Sequence, residues 1–200
     1  MTVLVRAFVQ ARMSSTRFPG KVLAPFRGEP VVIHVVRAAA DAVGAENVVV
    51  ATSDEPSDDP LAAYLASVGV ACFRGPMDDV LERFRLCARE HPSTWVLRLS
   101  ADSPRLDPDV IRLVIGAVSD DVDVVTTALG ASAHGTNAEL IRSSALLEAD
   151  LAEASDDDRE HVLPFFYRHP ERFRILPVAV EPRGAPVDTV DDLARLEGSA

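Results

Sequence analysis

Twelve residues near the N-terminus, Gln10-Ala-Arg-Met-Ser-Ser-Thr-Arg-Phe-Pro-Gly-Lys21, carry three cations and three hydroxyls directly after an apolar run, Val3 to Val9. Arg12, Arg17 and Lys21, with Ser14, Ser15 and Thr16 between them, have the composition of a polyphosphate cradle. Arg grips phosphate oxygens bidentately, Lys acts as a compact point charge, and the Pro19-Gly20 pair lets backbone N–H groups turn toward an anion. A solvated basic loop has the same composition. The stretch stands out, however, in a chain whose net charge is -11. It is not a Walker loop, because Lys21 is followed by Val22, and no GxGxxG is present.

A second constellation is acidic. Asp102 and Asp188 each follow an apolar, strand-like segment and are flanked by small or turn-forming residues. Magnesium at a nucleotide site takes one or two carboxylates together with phosphate oxygens and water, and one acid after each of two strands can supply that. Taken singly, each has an ordinary alternative role as a helix cap, Asp188 especially. The cradle and the two acids together point to phosphoryl chemistry. The DxD arrangement with which nucleotide-sugar glycosyltransferases hold a metal has a candidate in Asp121-Val-Asp123, at the start of a predicted strand rather than its end.

These residues need a scaffold, and periodicity predicts one. Val3 to Val9, Asn47 to Thr52, Val70 to Phe73, Thr94 to Leu99 and Val122 to Thr127 read as short buried strands, with Arg6 near the start of the first. Between them, Pro30 to Val43, Pro60 to Val68, the segment carrying Val80, Leu81, Phe84, Cys87 and Ala88, and Pro108 to Val118 have helical apolar spacing, the last with Asp107 as N-cap. Strand-then-helix repetition predicts right-handed crossovers and a mainly parallel sheet flanked by helices, an α/β fold. Ala138 to Arg142 is expected to be a strand that breaks the parallel pattern. Helical pieces are expected at Ser144 to Ala154 and Arg159 to Tyr167, separated by Asp156-Asp-Asp158, then a strand from Phe173 to Val180 and a last helix through Leu193 and Leu196. Trp95 belongs to the core, and His34 has a structural or surface role. The acidic turn Thr52 to Asp59 follows a strand end, where open α/β sheets place ligands, and equally suits solvated surface.

Bulk properties narrow the class. A chain of 200 residues with 48% hydrophobic and 26% charged residues has the composition of a globular protein, expected to form one domain over residues 1–200. A pI near 4.8 repels nucleic acid and anionic membrane surfaces, so any anion must be held by a local basic site. Cys72 and Cys87 form no CxxC and are expected to be buried, reduced thiols, as in the cytoplasm. No secretory leader is legible at the N-terminus, and no run reaches the roughly 18 apolar residues of a membrane span.

The blocks around these residues resemble a known family. Gln10 to Leu23 is similar to the signature of the sugar-acid cytidylyltransferases, the CMP-Kdo and CMP-sialic acid synthetases, and above all to their spore-coat-polysaccharide-type relatives. Val50 to Asp54, Phe73 to Phe84, Arg98 to Pro104 with Asp107-Pro108, Arg159 to Val162, and Val187 to Leu193 resemble further family blocks in the same order, covering most of the chain. The resemblance implies a single-domain nucleotide-diphospho-sugar transferase type of fold, Rossmann-like, with CTP as donor, magnesium as cofactor and homodimeric assembly. It implies a nucleotide site of Gln10, Ala11, Arg12, Ser14, Ser15, Arg17 and Lys21, with Thr52, Ser53, Asp54 and Ala101. The loop Arg74, Gly75, Asp78, Asp79 and Val80 is then near cytosine and ribose. Arg12, Lys21 and Asp102 are the implied catalytic residues, with Asp102 the main magnesium ligand and Asp188 the second. In that picture an acceptor oxygen attacks the α-phosphorus and pyrophosphate leaves.

The resemblance thins on the acceptor side. Relatives tend to show Asp-Gly-Leu-Asp-Val-Glu where this chain has His134-Gly-Thr-Asn-Ala-Glu139, so both aspartates are replaced. His134, Asn137, Glu139, Arg159 and His161 are the expected acceptor pocket, with the His and Arg positions suited to an anionic group. Arg159 and His161 on a solvated helix face are the alternative. The expected reaction is transfer of CMP from CTP to an oxygen of a small acidic acceptor, a sugar acid, polyol or phosphonate. The rivals are a nucleotide-sugar-dependent glycosyltransferase and a non-catalytic nucleotide-binding subunit.

Overall fold

In the computed structural model, residues 3–127, 137–181 and 185–198 are described. The elements in chain order are β1 (Val5–Gln10), β2 (Pro25–Phe26), β3 (Glu29–Pro30), α1 (Val31–Val43), β4 (Val48–Ser53), α2 (Asp59–Ser67), β5 (Ala71–Gly75), α3 (Val80–Glu90), β6 (Trp95–Ser100), α4 (Pro108–Gly116), β7 (Val124–Thr126), β8 (Glu139–Arg142), α5 (Ser143–Glu148), α6 (Asp156–His161), α7 (Leu163–Arg168), β9 (Ile175–Pro177) and α8 (Val190–Gly198). The near-continuous apolar run of β1 reflects cover on both faces: Ala7 and Val9 join the core beneath α1, α2 and α4, while Phe8 joins that beneath α3, α5 and α7. No helix among the described residues is long and apolar enough to cross a membrane.

Among the described residues the main sheet has seven strands in the order β5-β4-β1-β6-β8-β7-β9. β1 pairs in parallel with β4 and β6, β4 with β5, and β7 with β9. β8 runs antiparallel to both neighbours, as its break in the strand–helix rhythm predicts. The carboxyl ends of β1, β4, β5 and β6 therefore open on one edge, where an α/β sheet places its ligands. Trp95 is buried with the Arg142 guanidinium 4.6 Å from its ring centroid, and His34 Nε2 lies 2.8 Å from the Phe26 carbonyl, so both are structural. A small hairpin, β2–β3, has strands of two residues each, too short to leave a periodic signal in the sequence. It turns through Arg27 and Gly28, both at positive φ, and with Phe26 and Val31 makes a third apolar cluster against Val187, Leu193 and Leu196 around α8.

Several boundaries differ from expectation for local reasons. The acidic run Asp156 to Asp158 separates nothing; it is the first turn of α6, where Ser155 and Asp158 form a capping box and negative charge suits the helix dipole. The expected single helix over residues 159–167 is split at Val162, buried with φ 67 and ψ -60, a conformation costly for a β-branched residue. α5 stops at Glu148 instead of reaching Ala154, and the late strand shortens to Ile175–Pro177. Cys72 is only partly buried; Cys87 is fully so, and burial pushes its thiol upward.

One buried acid connects the scaffold to the basic stretch. Asp58, in the acidic turn, is fully buried and accepts hydrogen bonds from the Thr52 hydroxyl (2.8 Å), the Ser53 amide (3.0 Å) and hydroxyl, and the Met13 amide (2.7 Å). Burial pushes its carboxyl up, but the bonds from Ser53, Met13 and Thr52 outweigh it and hold the group below the usual carboxylate range. The stability this contributes is therefore complete above the unfolded value of about pH 3.9 and is lost as pH falls through the lower folded value. Asp58→Ala strands those donors and is expected to lose about 2–4 kcal/mol in urea unfolding at pH 7. It should also show a flatter stability decline than wild type between pH 4 and pH 2; an unchanged acid limb would remove Asp58 from this role.

Candidate functional site

The basic stretch becomes a closed loop because its ends meet. Gly20, at φ 74, donates from its amide to the Met13 carbonyl (2.8 Å), while the Met13 amide is fixed to Asp58. The left-handed φ favours glycine, and a Cβ there would come within 3.4 Å of the Met13 side chain. The Ser15 hydroxyl accepts from the Phe18 amide at 3.3 Å, bending the chain between Arg12 and Lys21. Both cations, with Arg17, line a cleft of about 330 Å³ at the carboxyl ends of β1 and β6.

Two further segments enter that cleft. Asp102 follows β6, and its carbonyl accepts from the Val187 amide at 2.7 Å, drawing the segment before α8 to the end of the sheet. The cap of α8 is Thr189, not Asp188: Thr189 Oγ1 accepts from the Asp192 amide, and the Asp192 carboxylate accepts from the Asp188 and Thr189 amides and the Thr189 hydroxyl. The Asp188 side chain is thereby left for the cleft. Lys21 Nζ lies 2.8 Å from Asp102 Oδ2 and 3.2 Å from Asp188 Oδ1, and Arg17 Nη2 lies 2.9 Å from Asp188 Oδ1. Lys21 is 11% exposed at its side chain, against 66% for Arg17, so the ammonium is the interior member of the group.

No group of three or more His, Cys, Asp or Glu side chains that could hold a metal is present among the described residues. Asp102 and Asp188 nevertheless both reach one cationic centre, and an oxygen-only pair completed by phosphate oxygens and water is a donor set for a hard divalent cation. Their present partner, the Lys21 ammonium, marks where positive charge is favourable.

The other expected site residues divide. Gln10, Ala11 and Ser15 line the same cleft, together with Ser100 and His161; Ala101 is buried beside it, its amide donating to the Gln10 carbonyl. Asp78 and Val80, with Met77, line an adjoining cavity of about 280 Å³ that shares Arg12 and Glu160 with the first. Ser14 is exposed, its hydroxyl 3.6 Å from the Met77 sulfur. Thr52 and Ser53 are fully buried with their hydroxyls on Asp58, so their side chains are not in the cleft. Arg74 is likewise committed: its guanidinium donates to the Ser53 and Glu55 carbonyls and pairs with Asp59 at 2.7 Å. Asp54 is exposed, its amide on the Gly75 carbonyl.

Asp79, expected near cytosine and ribose, and Arg159, expected at the acceptor, form an ion pair, with Asp79 also capping α3 through the Glu82 amide and Arg159 donating to the Leu151 carbonyl. Arg159 thus lines the adjoining cavity and not the first cleft, where His161 and Glu160 stand, the latter 3.5 Å from Arg12. Glu139 is buried and paired with Arg98, which also donates to Gln10 Oε1 at 2.9 Å. Asn137 precedes β8, and His134 lies outside the described residues. Arg98 was missed as a site residue. A lone charge inside the apolar strand Trp95-Val-Leu-Arg-Leu99 was the available signal, since an arginine in a covered strand needs a polar destination.

Residues 7–191 match the cytidylyltransferase family. The chain is 34% identical over 172 residues to the spore coat polysaccharide biosynthesis protein SpsF of Bacillus subtilis, across 84% of this chain and 71% of that protein. It is 37% identical over 127 residues to the 3-deoxy-manno-octulosonate cytidylyltransferase of Anaeromyxobacter dehalogenans, across 62% of this chain and 51% of that enzyme, so it matches only about half the length of that relative. Among solved structures, a cytidylyltransferase from Leptospira borgpetersenii superimposes with a TM-score of 0.89 at 26% identity, over 98% of this chain and 86% of that one. A CMP:2-keto-3-deoxy-manno-octonic acid synthetase complexed with CTP shares the fold, with a TM-score of 0.76 at 17% identity over 97% of both chains. With the match running from the middle of β1 into α8, through the cradle, Asp102 and Asp188, the chain belongs to the cytidylyltransferase family.

Proposed function

We propose that this chain transfers the cytidylyl group of CTP to an oxygen of a small acidic acceptor, such as a sugar acid, polyol or phosphonate, with release of pyrophosphate. The observation that carries the reading is the convergence of Lys21, Arg17, Asp102 and Asp188 in one cleft at the carboxyl ends of parallel strands. Family membership supports cytidine as the base.

The residues divide the work by position. Arg12, Arg17 and Lys21 face the triphosphate and offset charge that grows on its oxygens as the bond to pyrophosphate breaks. Asp102 and Asp188 provide the oxygen donors for a magnesium ion, whose charge would neutralise phosphate oxygens. Ala11 and Ala101, both small and buried at strand ends, let the nucleotide approach the backbone. Arg98, Ser100 and His161 form the remaining wall, where an anionic acceptor would be oriented for in-line attack on the α-phosphorus. No protein nucleophile is required.

A nucleotide-sugar glycosyltransferase is disfavoured by the state of Asp121 and Asp123. They precede β7 at its amino end and are paired with Arg174, with Arg142 also on Asp123. A subunit that only binds nucleotide has no need for both carboxylates in the cleft.

Three outcomes test the proposal. With a panel of acidic acceptors and each of the four nucleoside triphosphates, pyrophosphate release is expected with CTP; a purine preference would sink the cytidine assignment. Chelation of divalent ions is expected to abolish that release, and added magnesium to restore it. Asp102→Asn should lower kcat by about 10²-fold or more while the thermal midpoint stays within a few degrees of wild type. Undiminished turnover in this variant would remove Asp102 from the mechanism.

A further inference from the structure

Arg83 sits where a cation is least expected. The apolar face of α3 brings it between Val80 and Phe84 and Cys87, and it is fully buried. No carboxylate forms an ion pair with it among the described residues, and its Nε and Nη2 have no hydrogen-bond partner. Burial lowers its pKa to about 10, so it remains charged at neutral pH. An apolar side chain of similar size would be cheaper at such a place. Gly75 is shaped around it, since a Cβ there would lie 3.1 Å from Arg83 Cγ.

What Arg83 does is gather two carbonyls. Its Nη1 donates to the Pro76 carbonyl at 2.7 Å and, more weakly, to that of Met77 at 3.4 Å. In a planar trans peptide the N–H points opposite to the C=O. With these carbonyls turned to the guanidinium, the amides of Met77 and Asp78 are turned away from it, and both residues line the smaller cavity. Neither amide donates to another group among the described residues. Two successive N–H groups with a cation behind their carbonyls form a paired donor, polarised away from the guanidinium.

A pyrimidine edge distinguishes itself at that pair. Cytosine presents two adjacent acceptors, O2 and N3, whereas uracil carries an N–H at N3 and would set donor against donor. We infer that Arg83 is the positioning residue for base choice: by holding the Pro76 and Met77 carbonyls it aims the Met77 and Asp78 amides at O2 and N3 of cytosine. The inference rests on the reading of this chain as a CTP-dependent transferase. It assigns discrimination to a side chain that never touches the nucleotide.

The test begins with the unaltered protein. In ¹⁵N-labelled wild type, the Met77 and Asp78 amide resonances are expected to move downfield on saturation with CTP and to move less with UTP. Arg83→Met, which removes the strut without leaving a buried charge, is expected to raise the CTP Kd about tenfold and bring the CTP-to-UTP affinity ratio toward one. Arg83→Lys, still able to reach the Pro76 carbonyl, should recover part of the ratio, which loss of packing alone would not produce. Unmoved amides in a wild type saturated with CTP overturn the strut, as does a folded Arg83→Met with an unchanged ratio. A wild type that binds no pyrimidine triphosphate overturns the CTP reading and the strut together.

Discussion

Two carboxylates from segments far apart in sequence, Asp102 and Asp188, share one ammonium, Lys21 Nζ, and much of the molecule serves to keep those three groups together. Like charges this close and partly shielded from water repel strongly unless a cation lies between them. Lys21 arrives from the loop closed by Gly20 and pinned by Asp58; Asp102 arrives at the end of β6; Asp188 is delivered by an α8 that rests on the β2–β3 hairpin. Each arm is built from backbone hydrogen bonds and apolar packing that do not involve the charges. The charges can therefore stay available for a ligand without the fold depending on how they are paired.

In an acidic chain, what decides function is which cations remain uncommitted. Arg74 holds the acidic turn, Arg159 is tied to Asp79, and Arg83 is buried beneath the loop before α3. These positions use arginine because one planar guanidinium can bind two carbonyls, or a carbonyl and a carboxylate, at once. Among the described residues, Arg12 and Arg17 have one ionic partner each, exposed or in the cleft, and the Lys21 ammonium contacts the two carboxylates. The exposed pairs of Arg12 and Arg17 are worth about 0–1 kcal/mol, so a phosphate can displace them at little cost.

The sheet, its helices and the basic loop were legible because each rests on local pattern: buried strands as apolar runs, helices as 3.6-residue stripes, the loop as a charge cluster against the trend of the chain. β8 was legible as the strand that interrupts the rhythm. Side-chain commitments were not legible. Nothing in Thr52-Ser-Asp-Glu-Pro-Ser-Asp-Asp59 says that Asp58 alone turns inward, or that the hydroxyls of Thr52 and Ser53 follow it. Arg74 and Arg159 look as available in sequence as Arg12, and only tertiary contacts separate them. The split at Val162 was hidden for a related reason, since a β-branched residue gives no local sign that tertiary packing will hold it at positive φ.

Asp79 then joins the two halves of the site. One of its oxygens caps α3, at the end of the loop that lines the smaller cavity; the other holds Arg159, next in sequence to Glu160 and two residues before His161 in the larger cleft. Glu160 faces Arg12, and Arg12 borders both cavities. Loop, α6 and cradle are thus linked around the boundary between the two cavities by the Asp79–Arg159 and Arg12–Glu160 ion pairs and the Ser14–Met77 contact. Substitutions at Asp79, Arg159, Glu160 and Arg12 share partners, and their effects are not additive as those of distant core positions would be. That coupling follows from the sheet itself. The strands that carry the cradle and the loop end on the same edge, and α6 packs against α3 beside it, where the Asp79 cap of α3 meets Arg159 in the last turn of α6.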